Sequence, residues 1–239
     1  MADQRLIVAL DTTDRARVEA LVGELGELVG YYKVGMELFY SQGPDIVRCL
    51  RQQGKEVFLD LKLHDIPNTV AQALRPLVGL GATMLNLHAS GGTKMMKAAA
   101  TALREEAKLR NVPCPKLIAV TVLTSMDATE WESLGCVREI AQQVSELAKM
   151  AQAAGLDGVV ASSQEAALIR KACGDSFAIV TPGIRPAGSA TDDQARILTP
   201  REAIEAGADY LVVGRPITAA LEPRKVAEDI LRQMKEGKL

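Results

Sequence analysis

Short β-rich runs recur along the chain at residues 6–10, 31–35, 57–61, 84–87, 117–120, 158–161, 177–180 and 210–213. Their Val, Ile, Leu and aromatic content predicts strands. Between them the apolar period lengthens to three or four, as in Val137, Ile140, Val144, Leu147 and Ala151, or Val226, Ile230, Leu231 and Met234. Stripes of that spacing predict helices with one packed face and one wet face. Strand and helix alternate from one end to the other, which is the pattern of repeated βα units around a parallel sheet.

Glycines punctuate the alternation. Gly26 and Gly30 precede the second strand, Gly54 the third, Gly155 the sixth and Gly207 the eighth, as expected where helices stop. Eight strands predict a closed barrel: an α/β chain folded as a single-domain (β/α)8 barrel of the TIM type over residues 1–239. No linker or low-complexity segment divides it. One long irregular stretch, 185–194, follows the seventh strand and is rich in small and polar residues. A loop of that length in a compact domain is expected to act as a lid or binding loop.

Composition narrows the function classes. A net charge of -2 gives no reason to expect a nucleic-acid partner. No basic stretch leading into an apolar one opens the chain, and no long uncharged apolar run occurs in it. Neither a signal peptide nor a membrane span is expected, and the cytoplasm is the expected compartment. Cys49, Cys114, Cys136 and Cys173 are far apart and form no C-x-x-C pair. Zinc and disulfide frameworks are therefore not expected, and the four are read as buried small apolar residues.

Chemistry gathers at the strand ends, where barrels keep their reactive groups. The third strand runs from Val57-Phe58-Leu59 straight into Asp60-Leu61-Lys62-Leu63-His64-Asp65. On a regular strand Asp60 and Lys62 share a face, and Asp65 falls just past the strand. A lysine between two carboxylates is held protonated, able to donate a proton and ill suited to nucleophilic attack. The alternative is a solvated charge cluster. Lys33, inside a run headed for a buried sheet, must have an anionic partner or shed its charge. Asp11 ends the first strand and has two readings, as a site residue or as a helix cap. Thr124 and Ser125 follow the fifth strand, and Gly214-Arg215 ends the eighth, where barrels often hold phosphate. Arg185 and Gln194 on the long loop add to that reading. His64 and His88 are read as structural or pocket-lining. No dinucleotide fingerprint or P-loop occurs, and no organic cofactor is expected.

In their order and context these residues resemble the orotidine 5'-monophosphate decarboxylase family in its bacterial form. The resemblance rests on Val8-Ala9-Leu10-Asp11, on Lys33 to Phe39, on Phe58 to Thr69, on Val120 to Ser125, on Thr181-Pro182-Gly183-Ile184-Arg185 and on Val212 to Arg215. It implies decarboxylation of orotidine 5'-monophosphate to uridine 5'-monophosphate, in pyrimidine biosynthesis, with no cofactor and no metal. Lys62 would protonate C6, with Asp60 beside the departing carboxylate and Lys33 in the same charged network. Asp65 and Thr69 would reach the neighbouring site of a homodimer. Asp11 and Lys33 would hold the ribose, and Thr124 and Ser125 would meet the pyrimidine edge. Pro182, Arg185, Gln194, Gly214 and Arg215 would surround the phosphate, under a lid at 185–194.

Other readings of the same pattern remain. Metal-dependent relatives such as 3-keto-L-gulonate 6-phosphate decarboxylase and hexulose-phosphate synthase resemble the chain in fold and in D-x-K-x-x-D. They carry an acidic ligand on strand two, where this chain has Lys33, and a cation there repels a metal. A Schiff-base aldolase needs a neutral amine, against the expectation for Lys62. A noncatalytic nucleotide-binding barrel has no use for Asp60, Lys62 and Asp65 together.

Overall fold

The computed structural model describes residues 3–185 and 198–237. Its eight strands are β1 (Leu6–Ala9), β2 (Tyr31–Gly35), β3 (Glu56–Leu63), β4 (Met84–His88), β5 (Lys116–Val120), β6 (Gly158–Val160), β7 (Ala178–Thr181) and β8 (Tyr210–Val213). All neighbours pair in parallel, and β8 closes on β1 through Leu6, Ile7 and Val8. The expected (β/α)8 barrel is therefore present, with helices between successive strands.

Strand alternation splits the apolar residues into two packed layers. Ile7, Ala9, Tyr31, Phe58, Met84, Ile118, Val180 and Val212 form one buried cluster. They fill the inside of the barrel, the packed interior that an eight-stranded closure leaves. The intervening residues, such as Val8, Tyr32, Val34, Leu59, Leu85 and Ile179, join the larger cluster beneath the helices. The inward set fixes the site, because continuing each strand upward by two residues brings its next inward side chain to the barrel mouth.

Two expectations need correction. Val137 lies outside the helix Ile140–Ala153 and is fully exposed, so the buried stripe there begins with Val144 rather than Val137. Of the cysteines only Cys173 is buried; Cys114 is exposed and Cys49 and Cys136 are intermediate, because they occupy helix flanks and loops rather than the sheet. All four are unpaired.

Where β6 meets β7, the barrel wall leaves no room for a side chain at Gly158. A Cβ placed on Gly158 would lie 2.7 Å from the Ala178 Cβ and closer still to the Ala178 carbonyl oxygen. Those atoms belong to a paired strand and cannot turn aside. Gly158→Ala is expected to destabilise the fold by about 3 kcal/mol, read as a lowered urea midpoint at unchanged slope.

Candidate active site

The mouth of the barrel holds a cleft of about 340 Å³. Its floor is apolar, formed by Ala9, Phe58, Val120, Val160 and Val212, and its walls carry Asp11, Lys33, Asp60, Lys62, Thr124, Ser125, Pro182, Arg185, Gly214 and Arg215. Ten of the expected site residues thus converge in one place. The ionisable groups among the lining residues are four cations and two anions, a local charge of +2.

On the β1–β3 side, charges alternate in sign. Asp11 Oδ1 accepts from Lys33 Nζ at 2.9 Å, Lys33 Nζ lies 3.5 Å from Asp60 Oδ2, and Lys62 Nζ lies 2.8 Å from Asp60 Oδ1. The helix cap is Asp14, whose Oδ1 accepts from the Ala16 and Arg17 amides. Asp11 does not cap that helix and pairs with Lys33 instead. Gly35 makes room for the lysine, since a Cβ there would sit 2.9 Å from Lys33 Nζ.

Burial on its own would pull the Lys33 ammonium below its ordinary value, but Asp60 and Asp11 outweigh it and hold Lys33 above that value. Burial would likewise push the Asp60 carboxyl up. The charges of Lys33 and Lys62 and the hydrogen bonds from Lys62 and Asn86 outweigh it, so Asp60 lies below the usual carboxylate range.

Simple strand alternation does not account for how Asp60 and Lys62 come together. Leu59 pairs with Leu85 but Leu63 with Leu87, so four steps on β3 face two on β4. Lys62 sits in the middle of this bulge with φ of +52°, the left-handed region. Bulges of this kind re-aim a side chain beside a site. The displaced Lys62 amide donates to Asn86 Oδ1 at 2.8 Å, and Asn86 Nδ2 donates to Asp60 Oδ1 at 2.7 Å.

Asn86 does not figure among the expected site residues. Its signal is present as a lone amide inside Met84-Leu85-Asn86-Leu87, a strand too buried for an unpaired polar group.

Asp65 and Thr69 are exposed and do not line this cleft; Asp65 Oδ1 accepts from the Ile66 amide at 2.6 Å. Within one chain, then, Lys62 is paired with Asp60 and not set between two carboxylates. His64 and His88 do not line the cleft either; their rings face each other at 5.4 Å. Burial, with His64 and Lys62, holds the His88 imidazole below its ordinary value, and Asp60 opposes them.

Gln194 and most of the expected lid lie outside the described residues. At the flanks, Ile184 bridges Leu198 and the Arg185 amide donates to the Leu198 carbonyl at 3.1 Å, which ties the two ends of the segment together beside the cleft. Among the described residues no group of three or more His, Cys, Asp or Glu side chains is placed to hold a metal. No helix of the described residues is long and apolar enough to cross a membrane.

A family model described as orotidine 5'-phosphate decarboxylase / HUMPS family matches residues 4–230. An orotidine 5'-phosphate decarboxylase from Moorella thermoacetica is 53% identical over 234 residues, covering 98% of this chain and 93% of that protein. One from Carboxydothermus hydrogenoformans is 52% identical over 236 residues, 99% and 98% of the two chains. Among solved structures, orotidine 5'-phosphate decarboxylase from Lactobacillus acidophilus superposes with a TM-score of 0.83 at 41% identity, over 97% of this chain and 99% of that one. An uncharacterized conserved protein from Geobacillus kaustophilus gives 0.83 at 42% identity, over 96% and 99%.

The electrostatics of the cleft can be checked directly. Because the folded Asp60 carboxyl is depressed, the stability it contributes is present above its unfolded value of about 4 and is lost as pH falls through the folded value. Lys33, raised, keeps its contribution up to about pH 10 and loses it only above. Carboxyl NMR should therefore find Asp60 ionised at every pH above about 4, with its midpoint below that of exposed aspartates. A midpoint at or above the ordinary value would contradict the alternating network.

Proposed function

Because the chain belongs to the orotidine 5'-phosphate decarboxylase / HUMPS family, matched from residue 4 to residue 230, we propose that it decarboxylates orotidine 5'-monophosphate without a cofactor and that Lys62 supplies the proton. The chain is a carboxy-lyase of pyrimidine biosynthesis, in line with relatives that share about half of its residues over nearly its whole length. The observation that carries the Lys62 role is the alternating series Asp11, Lys33, Asp60 and Lys62 at the mouth of the barrel. Lys33 also argues against the metal-dependent branch, since it occupies β2 where those relatives need an acidic ligand.

The chemistry follows from the charges. Loss of carbon dioxide from C6 leaves its electron pair in an sp² orbital with no adjacent carbonyl to delocalise it. A fixed ammonium must stabilise that pair and then protonate it. Lys62 is such a group: its nitrogen is held by Asp60, and its backbone is locked by the bulge.

A substrate carboxylate about 4 Å from Asp60 would be repelled by roughly 4 kcal/mol at an effective dielectric near 20. Both Asp60 oxygens are already engaged by Lys33, Lys62 and Asn86, so only part of that repulsion reaches the substrate. Stabilisation of the developing carbanion by Lys62 therefore outweighs repulsion as the source of rate. Arg215, Gly214, Arg185 and Pro182, with Gln194 on the segment that follows, bind the phosphate. Thr124 and Ser125 meet the pyrimidine edge, and Asp11 and Lys33 the ribose.

The active form is a homodimer in which Asp65 and Thr69 complete the neighbouring site. Their exposure outside their own chain's cleft supports this, as does Ile66 between them, an isoleucine 67% exposed. Four unpaired cysteines suit a reducing cytoplasm.

Four outcomes are expected. In EDTA, the unmutated protein should consume orotidine 5'-monophosphate, followed as a fall in ultraviolet absorbance. Lys62→Ala should turn over at least about 10³-fold more slowly while still binding uridine 5'-monophosphate; near-normal turnover would remove the proton-donor role. Arg215→Ala should raise KM by about ten- to hundredfold with a smaller change in kcat, as expected for a lost charge-assisted contact remote from C6. Lys62→Ala and Asp65→Ala, each nearly inactive alone, should regain activity when unfolded and refolded together. Random pairing leaves about a quarter of the sites with neither change; no recovery would place Asp65 in its own chain's chemistry or in none.

A further inference from the structure

We infer that Asn86 is a positioning residue for the reaction, holding the Lys62 backbone and the Asp60 carboxylate in register with each other through the two ends of one carboxamide. The inference rests on the roles proposed above for Lys62 and Asp60.

Three features carry it. Asn86 is 1% exposed on an inward-facing position of β4, between Met84 and His88, where an unpartnered polar group would be costly. Its two hydrogen bonds, to the Lys62 amide at 2.8 Å and to Asp60 Oδ1 at 2.7 Å, need an acceptor and a donor from the same side chain. A backbone N–H can be met only by the amide oxygen and a carboxylate only by the NH₂, so the chemistry fixes the orientation of the carboxamide. The bulge that faces four steps of β3 against two of β4 strips the Lys62 amide of a ladder partner, and Asn86 supplies the missing acceptor.

The consequence is mechanical. A lysine in the left-handed region persists only where its surroundings over-determine it. Asn86 does so at Lys62 while gripping the oxygen that Lys62 Nζ itself approaches at 2.8 Å. The amide thus triangulates nitrogen and carboxylate from the β4 side of the network. It lines no part of the cleft, so its effect should appear in kcat and not in nucleotide binding.

Aspartate is the discriminating replacement. In Asn86→Asp the introduced carboxyl, while neutral, offers one O–H donor and one carbonyl acceptor, the same pair that asparagine offers. Once ionised it offers no donor and sets a second negative charge against Asp60. Buried beside Asp60, and facing Lys62 and the His88 and His64 rings beyond it, the two carboxyls would share a proton, and their apparent value would lie above that of an ordinary carboxylate.

Asn86→Ala should lower kcat by about 10²-fold, the scale of an ångström of misplacement. Its affinity for uridine 5'-monophosphate should stay within about threefold of the unmutated protein, since phosphate and base contacts are elsewhere. Asn86→Asp should recover activity toward low pH and lose it through a new titration that neither Asn86→Ala nor the unmutated protein displays. Hydrogen exchange at the Lys62 amide should accelerate in Asn86→Ala, at a melting temperature that leaves the variant folded at the assay temperature.

Unchanged kcat in folded Asn86→Ala would overturn the inference. So would a loss of kcat, nucleotide affinity and stability in parallel, with no new titration in Asn86→Asp, since that is the signature of a purely structural residue. If the unmutated protein failed to decarboxylate orotidine 5'-monophosphate, the proposed reaction would fall. The exchange measurement would still decide whether Asn86 holds Lys62: unchanged protection in Asn86→Ala would sink the positioning role by itself.

Discussion

An aspartate 7% exposed at the mouth of an apolar barrel can remain an anion only if charge and hydrogen bonds replace the water it has lost. Asp60 meets that constraint with two ammonium groups and a carboxamide, and the site is arranged around it. Lys33 is brought in from β2 and is itself held between Asp60 and Asp11. Lys62 comes from the same strand as Asp60, and Asn86 from the next. Removing any one cation would leave a buried carboxylate undercompensated, so the network is cooperative: each charge is tolerated because its neighbours are present.

That arrangement cannot be reached with a regular strand. Two carboxylate oxygens must face two lysines on different strands, while the amide that anchors one of those lysines belongs to a third. β3 resolves this with its bulge, which lengthens it relative to β4 and turns Lys62 over Asp60. The backbone disfavours the left-handed lysine by about 1–2 kcal/mol. The three hydrogen bonds and ion contacts that depend on it offset that amount.

The barrel is legible in the sequence because a buried parallel sheet has a strong signature: eight β-rich runs, helix-period segments between them, and glycines at the junctions. Lys33 is legible as a lysine in a strand that has no room for an unpaired charge, and its partners prove to be Asp11 and Asp60. What the chain does not print is register. The i and i+2 spacing predicts the Asp60–Lys62 contact for a reason that is only half right, since Lys62 reaches Asp60 through a bulge. Asn86 escapes a reading by sequence because its meaning depends on the Lys62 amide across a strand pair, a relation between residues 24 positions apart. Val137 and Cys114 err in the other direction, because composition favours burial for both and loop geometry overrides it.

The distribution of charge in the cleft bears on where binding energy enters. The chain carries a net -2, yet the described residues lining the cleft sum to +2. Asp11, Lys33, Asp60 and Lys62 cancel one another, so the excess belongs to Arg185 and Arg215 beside β7 and β8. Under the proposed function, an anionic nucleotide would be drawn in by its phosphate and not by the end that reacts. The reacting end, placed as proposed, would meet a set of charges already paired among themselves, which would gain little from the carboxylate of the ground state. In the reaction proposed above they would gain more as C6 acquires negative charge, with Lys62 the ammonium that meets it. An interaction that strengthens only as the transition state forms raises kcat, whereas arginine contacts to a phosphate, as proposed, would act on ground and transition states alike. The separation of the paired charges from the two arginines within one cleft is what would let the chemistry proposed at Lys62 draw on binding of the phosphate.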